Sequence, residues 1–196
     1  IACYRAVRKA VGDDFTLMAD PVIMYSYEEA LKAGRELEKL GYKWFEEPLL
    51  DVDLHSLKKL REKLDIPICG TEVIAGNNYS VANCIKDGIV DIVRTDVSWR
   101  AGITAVMKTA HLAESFGVKC ELHTTIYHGL EQVQLHPSLA ISNCEFFETL
   151  YPFDDFNFGT KSQLNIVDGY VMAPEGEGLC IDYDWDFIDK HTVAIL

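Results

Sequence analysis

The feature that most constrains the fold is a repeat of about 25 residues, in which a short apolar run is followed by a helical pattern. Several of the apolar runs are hydrophobic almost throughout, which is typical of parallel strands with both faces buried. The repeat therefore predicts an α/β fold with a parallel sheet. The predicted strands are residues 15–20, 43–47, 66–72, 89–96, 118–123 and 145–150.

The segments between these strands carry helix start and stop signals. Ser26 and Glu29 have the spacing of a capping box, and Gly41 follows the last apolar position of that helical pattern. No linker or low-complexity segment interrupts the repeat, so we expect one domain over residues 1–150 and a less regular tail over 151–196. The predicted helices are residues 1–11, 27–40, 53–64, 79–86, 105–116 and 130–141.

Two architectures contain such a repeat, an open doubly wound sheet and a closed (β/α)8 barrel. A complete eightfold barrel takes about 250 residues, whereas this chain has 196. Six units alone would leave two open sheet edges, which proteins normally avoid. The residues alone leave two interpretations: either upstream sequence is absent, or the sheet is open.

The composition excludes several classes of function. The net charge is −13 and the sequence pI is near 4.8, which is unlike the basic face that nucleic-acid binding requires. No apolar run approaches the roughly 20 residues of a membrane span, and no signal segment opens the chain. We therefore expect a cytoplasmic protein with no nucleic-acid partner and no membrane partner. The six cysteines lie far apart without a C-x-x-C pair, which predicts reduced thiols that serve as packing residues.

Charged residues recur in register with the repeat. One stands at or next to the carboxyl end of each predicted strand, at spacings of 26, 26, 24, 27 and 25 residues. The carboxyl ends of parallel strands meet at one edge of the sheet, where α/β enzymes build their sites, so we expect these side chains to converge. They are Asp20, Glu46, Glu72, Asp96, His123 and Glu148.

The residue types in this set indicate proton transfer at a metal centre. Asp20, Glu46 and Glu72 offer the hard oxygen ligands that Mg²⁺ prefers, and three adjacent carboxylates would repel one another without a cation. Asp96 can hold one imidazole nitrogen of His123 and raise the basicity of the other nitrogen. His123 is therefore a candidate general base.

A structural interpretation stands beside this functional one. A lone acid at a strand end is more often a helix cap or a surface charge, but that interpretation does not predict recurrence in register with the repeat. Glu148, on the strand after His123, would stand opposite the metal and hydrogen-bond a substrate oxygen. Weaker candidates are Tyr127 or His128 as substrate contacts, and Arg100 as either a partner of a substrate carboxylate or a solvated loop arginine.

Six short segments resemble the enolase superfamily, specifically its mandelate racemase subgroup, and the similarity extends over residues 2–190. The Trp-Phe-Glu-Glu-Pro segment together with the later Asp and His is the specific part of the signal. The segments are Leu17-Met18-Ala19-Asp20, Trp44-Phe45-Glu46-Glu47-Pro48, Pro67-Ile68-Cys69-Gly70-Thr71-Glu72, Thr95-Asp96-Val97-Ser98, Glu121-Leu122-His123 and Phe147-Glu148-Thr149.

The resemblance implies a (β/α)8 barrel of the TIM type, of which this chain holds the C-terminal six or so units and lacks the N-terminal α+β capping domain. It also implies Mg²⁺ as cofactor, bound by the three strand-end acids, with Asp96 and His123 as the base dyad. Glu148 would hydrogen-bond the substrate carboxylate. The implied partner is a small-molecule carboxylate, a sugar acid, and the subgroup commonly forms homo-oligomers.

The activity that follows is that of a carbon–oxygen lyase, an acid-sugar dehydratase. In it His123 removes the proton next to the substrate carboxylate, and the resulting ene-diolate expels the neighbouring hydroxyl. A racemase or epimerase of the same subgroup is the alternative, and it needs a second base on the opposite face. An alternative of another class is a non-catalytic truncated barrel or assembly module. The sequence departs from the family pattern at Pro21 and Val22, after the first candidate ligand, and at Ala101, where a Gly-Gly pair is common.

Overall fold

The structure of the protein is a computed structural model that describes residues 1–124, 129–156 and 158–195. The helices in these ranges are Ala2–Val11 (α1), Tyr27–Lys39 (α2), Leu54–Arg61 (α3), Asn77–Lys86 (α4), Ile103–Ser115 (α5), Leu130–Ala140 (α6), Phe153–Phe156 (α7) and Trp185–His191 (α8). The strands are Phe45–Glu46 (β1), Ile68–Gly70 (β2), Ile92–Thr95 (β3), Lys119–Leu122 (β4), Ile166–Val167 (β5) and Tyr170–Val171 (β6).

A parallel sheet in the order β1-β2-β3-β4 forms the centre of the fold. Single parallel bridges extend the sheet at both ends, from Ala19 to Phe45 and from Leu122 to Phe147. The predicted parallel α/β arrangement is confirmed, and the four central strands are present although shorter than predicted. The prediction of full strands at 15–20 and 145–150 is wrong, because each of these edge segments pairs with a single neighbour among the described residues and keeps one bridge.

The sheet is strongly curved. Segments 43–47 and 145–150 are four strand spacings apart, which is about 19 Å in a flat sheet. Lys43 Nζ nevertheless lies 2.5 Å from Glu145 Oε1, and the rings of Trp44 and Phe146 meet edge to face with centroids 5.6 Å apart. The strands also follow one another in chain order, without the reversal that defines a doubly wound sheet.

Alternate residues of each strand face opposite sides of this curved sheet. On the convex side, Phe45 and Val93 belong to the main core, which the helices cover. On the concave side, Trp44, Cys69 and Ile92 form a second, smaller core. Glu46 follows Trp44 by two positions and Arg94 follows Ile92 by two positions, so both also lie on the concave side, nearer the carboxyl edge of the sheet.

Side-chain caps begin two of the helices where the sequence predicts them. At the start of α2, Ser26 Oγ accepts a hydrogen bond from the backbone N–H of Glu29, and the Glu29 carboxylate accepts one from the N–H of Ser26. This capping box is confirmed. Asp53 accepts from the N–H of Ser56 at the start of α3, over 3.1 Å. Gly41 has a φ of 63° just past the end of α2, a conformation that favours glycine.

The tail after residue 150 consists of α7, the antiparallel hairpin β5-β6 and α8. Asp168 and Gly169 both have positive φ between β5 and β6, which is typical of a tight hairpin turn. All six cysteines are free thiols, and three of them are buried as packing residues, whereas Cys3 on α1 is exposed. No helix in the described part of the chain is long and apolar enough to cross a membrane.

One buried arginine joins the N-terminal elements. Arg8 on α1 donates from Nε to the carbonyl of Leu40 over 2.8 Å and from Nη2 to the carbonyl of Gly41 over 3.1 Å. Its Nη1 donates to the carbonyls of Gly12 and Phe15 over 2.8 and 2.6 Å. A single side chain thus satisfies carbonyls at the end of α1, at the end of α2 and in the segment that leads to the first sheet bridge.

We expect Arg8→Met to lower the free energy of unfolding by roughly 3 kcal/mol, because it leaves several carbonyls without their charged donor. Urea denaturation measures this loss. Arg5→Met is the matched control, since Arg5 lies on the same helix and pairs only with Glu36 in an exposed ion pair. Equal stability of the two variants would contradict the role of Arg8.

Candidate active site

The six strand-end residues lie along the carboxyl edge of the sheet, as the repeat predicts. Two of them follow the single bridges at the sheet edges, and the other four end or follow a strand. These positions are Asp20 after the bridge at Ala19, Glu46 as the last residue of β1, Glu72 after β2, Asp96 directly after β3, His123 directly after β4 and Glu148 after the bridge at Phe147.

A carboxylate–imidazole pair occupies the centre of this edge. His123 Nδ1 lies 2.5 Å from Asp96 Oδ2, and Asp96 is fully buried. The other oxygen of Asp96 accepts hydrogen bonds from the N–H of Trp99 and the hydroxyl of Ser98, over 2.5 and 2.9 Å. The carboxylate is therefore fixed from both sides. The imidazole points Nε2 towards Glu72, whose Oε1 lies 3.6 Å away.

The surroundings shift the pKa values of the two members of this pair in opposite directions. Burial alone would raise the pKa of Asp96, but the hydrogen bonds from His123 and the Trp99 N–H outweigh it and lower the pKa. Burial alone would lower the pKa of His123, but the hydrogen bond with Asp96 and the charge of Glu72 raise it. Asp96 therefore stabilises a proton on His123, which is the requirement for a general base that must hold the proton it takes.

Arg94 lies among the acids, and the sequence analysis missed it. It is on β3, two residues before Asp96, so both side chains point to the concave side, and it is 5% exposed. Its Nε lies 2.5 Å from Glu46 Oε1 and 4.0 Å from Glu72 Oε2, and its Nη2 lies 2.7 Å from Glu148 Oε2. The signal in the sequence is a charged residue inside an otherwise apolar buried strand, at a spacing of two from a candidate site residue.

The acidic cluster exceeds the charge that Arg94 can neutralise. Burial is the main cause that raises the pKa values of Asp20 and Glu46, and it raises the pKa of Glu72 to about 7. Glu46 Oε1 is buried, and its contact with Arg94 lacks the alignment of a hydrogen bond. With Glu148, four carboxyl groups face one guanidinium. A further cation with oxygen preference, such as Mg²⁺, fits this donor set.

Among the described residues, the group of ligand atoms that lie close together is not the predicted set. Glu72, Asp96 and His123 each offer one ligand atom, and these atoms lie within 4.8 Å of one another, so this group is also of a size that could hold a metal ion. The Asp20 carboxylate accepts a hydrogen bond from the N–H of Val22 over 2.8 Å, within its own loop. The ligand set Asp20, Glu46 and Glu72 stays a prediction.

Two further residues support the loop that carries Glu72. Glu47 is buried, and its Oε1 accepts a hydrogen bond from the N–H of Glu72 over 3.0 Å. Burial raises the pKa of Glu47 to about 7. Arg100 is 3% exposed and donates to the carbonyls of Thr71 and Ile74, on either side of Glu72. The prediction of a solvated or substrate-binding Arg100 is therefore wrong, because its guanidinium is buried against backbone carbonyls.

The two aromatic candidates for substrate contact, Tyr127 and His128, lie outside the described residues. Glu148 is held by two hydrogen bonds to its Oε2, from Arg94 and from the backbone N–H of Thr124 over 2.9 Å. Its side chain is 38% exposed, in contrast to the buried side chain of Glu46. Glu148 and Asp20, which is also exposed, are thus the carboxyl groups of the cluster that a molecule entering from solvent can reach.

Comparison with known proteins places this arrangement in a family. A family model described as enolase C-terminal domain-like matches residues 1–187. Arabinonate dehydratase of Saccharolobus solfataricus is 33% identical over 176 residues, which are 89% of this chain and 47% of that protein. D-galactarolactone cycloisomerase of Agrobacterium fabrum is 31% identical over 201 residues, which cover 96% of this chain and 52% of that protein.

A solved structure gives the same placement. D-glucarate dehydratase from Agrobacterium tumefaciens, complexed with magnesium, matches with a TM-score of 0.87 and 42% identity, over 95% of this chain and 49% of that one. This chain spans about half the length of the curated relatives it matches. The chain belongs to the enolase superfamily, in its mandelate racemase subgroup.

Proposed function

We propose that this chain is the catalytic part of a Mg²⁺-dependent acid-sugar dehydratase, a carbon–oxygen lyase. The observation that carries the proposal is the dyad, in which Asp96 holds Nδ1 of His123 and leaves Nε2 pointing towards Glu72. A base in that position suits the removal of a proton next to a carboxylate that is bound at a cation. The names of two relatives, arabinonate dehydratase and D-glucarate dehydratase, support sugar acids as the substrate class.

The proposal includes the architecture. Residues 1–150 would form the C-terminal six or so units of a (β/α)8 barrel, and residues 151–196 a tail that packs on the barrel or on a cap. The curvature of the sheet and its strand order in chain sequence support this arrangement. The subgroup resemblance extends the proposal to a homo-oligomer whose partner molecule is a small carboxylate.

Asp20, Glu46 and Glu72 would hold the Mg²⁺, because they offer carboxylate oxygens from three consecutive segments at one edge of the sheet. When bound, Mg²⁺ stabilises the negative charge that develops on the substrate carboxylate as the neighbouring proton leaves. Burial of Glu46, and the low 13% exposure of the Glu72 side chain, keep water from weakening that electrostatic effect.

The dyad performs the proton transfers. His123 Nε2 takes the proton from the carbon next to the substrate carboxylate, and the Asp96 carboxylate stabilises the resulting imidazolium. The C–O bond of the neighbouring hydroxyl then breaks, and His123 returns the proton so that the hydroxyl leaves as water. The remaining enol rearranges to a 2-keto-3-deoxy acid. Glu148, which is partly exposed, contacts the substrate carboxylate through one shared proton.

An isomerase of the same subgroup, such as a racemase or epimerase, is the second candidate, and the cycloisomerase among the relatives favours it. Both reactions begin with proton removal by His123, but an isomerase returns a proton to carbon. A panel of acid sugars in D₂O separates them. Formation of a keto acid supports the dehydratase, whereas deuterium in recovered acid without elimination supports the isomerase. Absence of both activities in the full-length protein favours the non-catalytic assembly module.

We expect Glu46→Gln and Glu72→Gln, combined in one protein, to abolish Mg²⁺ binding, because the substitution removes two of the three anionic ligands. Isothermal titration of the unsubstituted protein should give about one equivalent of bound Mg²⁺ per chain. Glu28→Gln is the control, since Glu28 is exposed on α2. Retention of Mg²⁺ binding in the double variant would reject these ligands.

We expect His123→Asn to lower kcat by about 10²- to 10⁴-fold, which is the usual contribution of general base catalysis, while Mg²⁺ binding persists. Steady-state turnover of the acid sugar found in the panel, together with metal titration, measures both effects. His111→Asn is the control, since His111 is exposed on α5. Unchanged turnover in His123→Asn would exclude His123 as the base.

A further inference from the structure

Arg94 lies among the carboxyl groups of the acidic cluster, where its positive charge balances theirs. Its strand lies between those that lead to Glu72 and to His123, and its guanidinium reaches across the concave side to Glu46 on β1. On the other side it reaches Glu148, which is 54 residues further along the chain. These two contacts, at 2.5 and 2.7 Å, connect carboxyl groups that are four strand spacings apart along the curved sheet.

The burial of Arg94 limits what it can do. With 5% exposure it does not reach a molecule at the mouth of the site, whereas Glu148 at 38% side-chain exposure does. Its neighbours are carboxyl groups rather than the backbone carbonyls that surround Arg8 and Arg100, the two other buried arginines in the described ranges. Arg94 is therefore not a substrate ligand, and its partners are the charges of the site itself.

We propose that Arg94 is a positioning residue that acts as the permanent countercharge of the acidic cluster. By bridging Glu46 and Glu148 it keeps the cluster folded without a metal and lowers the affinity of the cluster for a divalent cation. The inference rests on the proposed function, because it concerns the same metal site. A guanidinium suits this role because it is always charged and presents several donors in a fixed plane.

The sign of the expected effect distinguishes this role from ordinary packing. A positive charge beside Glu46 and Glu72 repels an incoming cation and also supplies part of the neutralisation that the cation would otherwise supply. Removal of that charge should strengthen metal binding while it weakens the metal-free fold. A residue that only shapes the site would, when replaced, weaken metal binding and stability together.

The test compares Arg94→Gln and Arg94→Lys with the wild type in the full-length protein. Isothermal titration gives the Mg²⁺ affinity at a pH where the carboxylates are ionised, and thermal unfolding in EDTA and in saturating Mg²⁺ gives the stability of each state. Arg61→Gln is the matched control, because Arg61 also bridges elements through an ion pair, 2.7 Å from Asp91. We expect the control to leave Mg²⁺ affinity unchanged.

Arg94→Gln should bind Mg²⁺ at least about tenfold more tightly than the wild type. The reason is that a neighbouring unit positive charge lowers the affinity for a cation by more than about tenfold at low dielectric. Its Tm in EDTA should fall, and Mg²⁺ should raise that Tm by more than it raises the wild-type value. Arg94→Lys, which keeps the charge, should bind Mg²⁺ within a few-fold of the wild type. Equal or weaker binding by Arg94→Gln would overturn the proposal, as would a failure of this variant to fold in saturating Mg²⁺.

The failure of the proposed function has a different signature. If the wild-type protein binds no Mg²⁺, both the metal assignment and the affinity part of this inference are rejected. The countercharge role is then decided in EDTA, where the double variant Glu46→Gln, Arg94→Gln should unfold at a higher temperature than Arg94→Gln alone. A double variant that is no more stable than the single one would overturn that role.

Discussion

The site depends on one electrostatic constraint, the burial of several carboxyl groups at the carboxyl edge of a parallel sheet. Each βα unit delivers its strand-end residue to this edge, so the fold itself concentrates the charge. Buried charges are costly unless they are paired, and breaking such a pair leaves an uncompensated ion. Glu46, Glu72 and Asp96 therefore each need a partner, and the structure supplies Arg94, His123 and backbone N–H groups. The remaining negative charge is what makes a metal fit.

Three buried arginines of the described chain pair with different kinds of buried polar groups. Arg8 and Arg100 donate to backbone carbonyls and connect segments that are not paired as strands. Arg100 in this way fixes the carbonyls of Thr71 and Ile74, and so the loop that carries Glu72. Arg94 alone pairs with carboxylates. Buried arginines thus stabilise the backbone segments of the fold, through Arg8 and Arg100, and balance the charge of the site, through Arg94.

The sequence predicts the parts of the fold that follow from periodicity. The parallel order, the helices and the convergence of strand-end residues all repeat with the unit, so one chain is enough to detect them. The capping box at Ser26 is detectable because it is a local sequence pattern. The edges of the sheet escape prediction because an apolar run such as 15–20 does not reveal how many paired neighbours it has. Arg94 and Arg100 escape it because local sequence shows a charge but not the distant carboxylates or carbonyls that bury it.

The proposed roles of base and cation are compatible with both reactions that the names of two relatives give, that of a dehydratase and that of a cycloisomerase. Under the proposed function, His123 and Asp96, which directly follow two neighbouring strands, would approach a bound carboxylate from one side. Elimination and isomerisation share that first proton removal, so the dyad does not discriminate between them. Elimination needs a departing hydroxyl within reach of an acid, whereas racemisation needs a second proton donor on the opposite face. Under the proposed function, the reaction class would therefore be set by groups across from His123, while the dyad and the acidic cluster would set the step that both classes share.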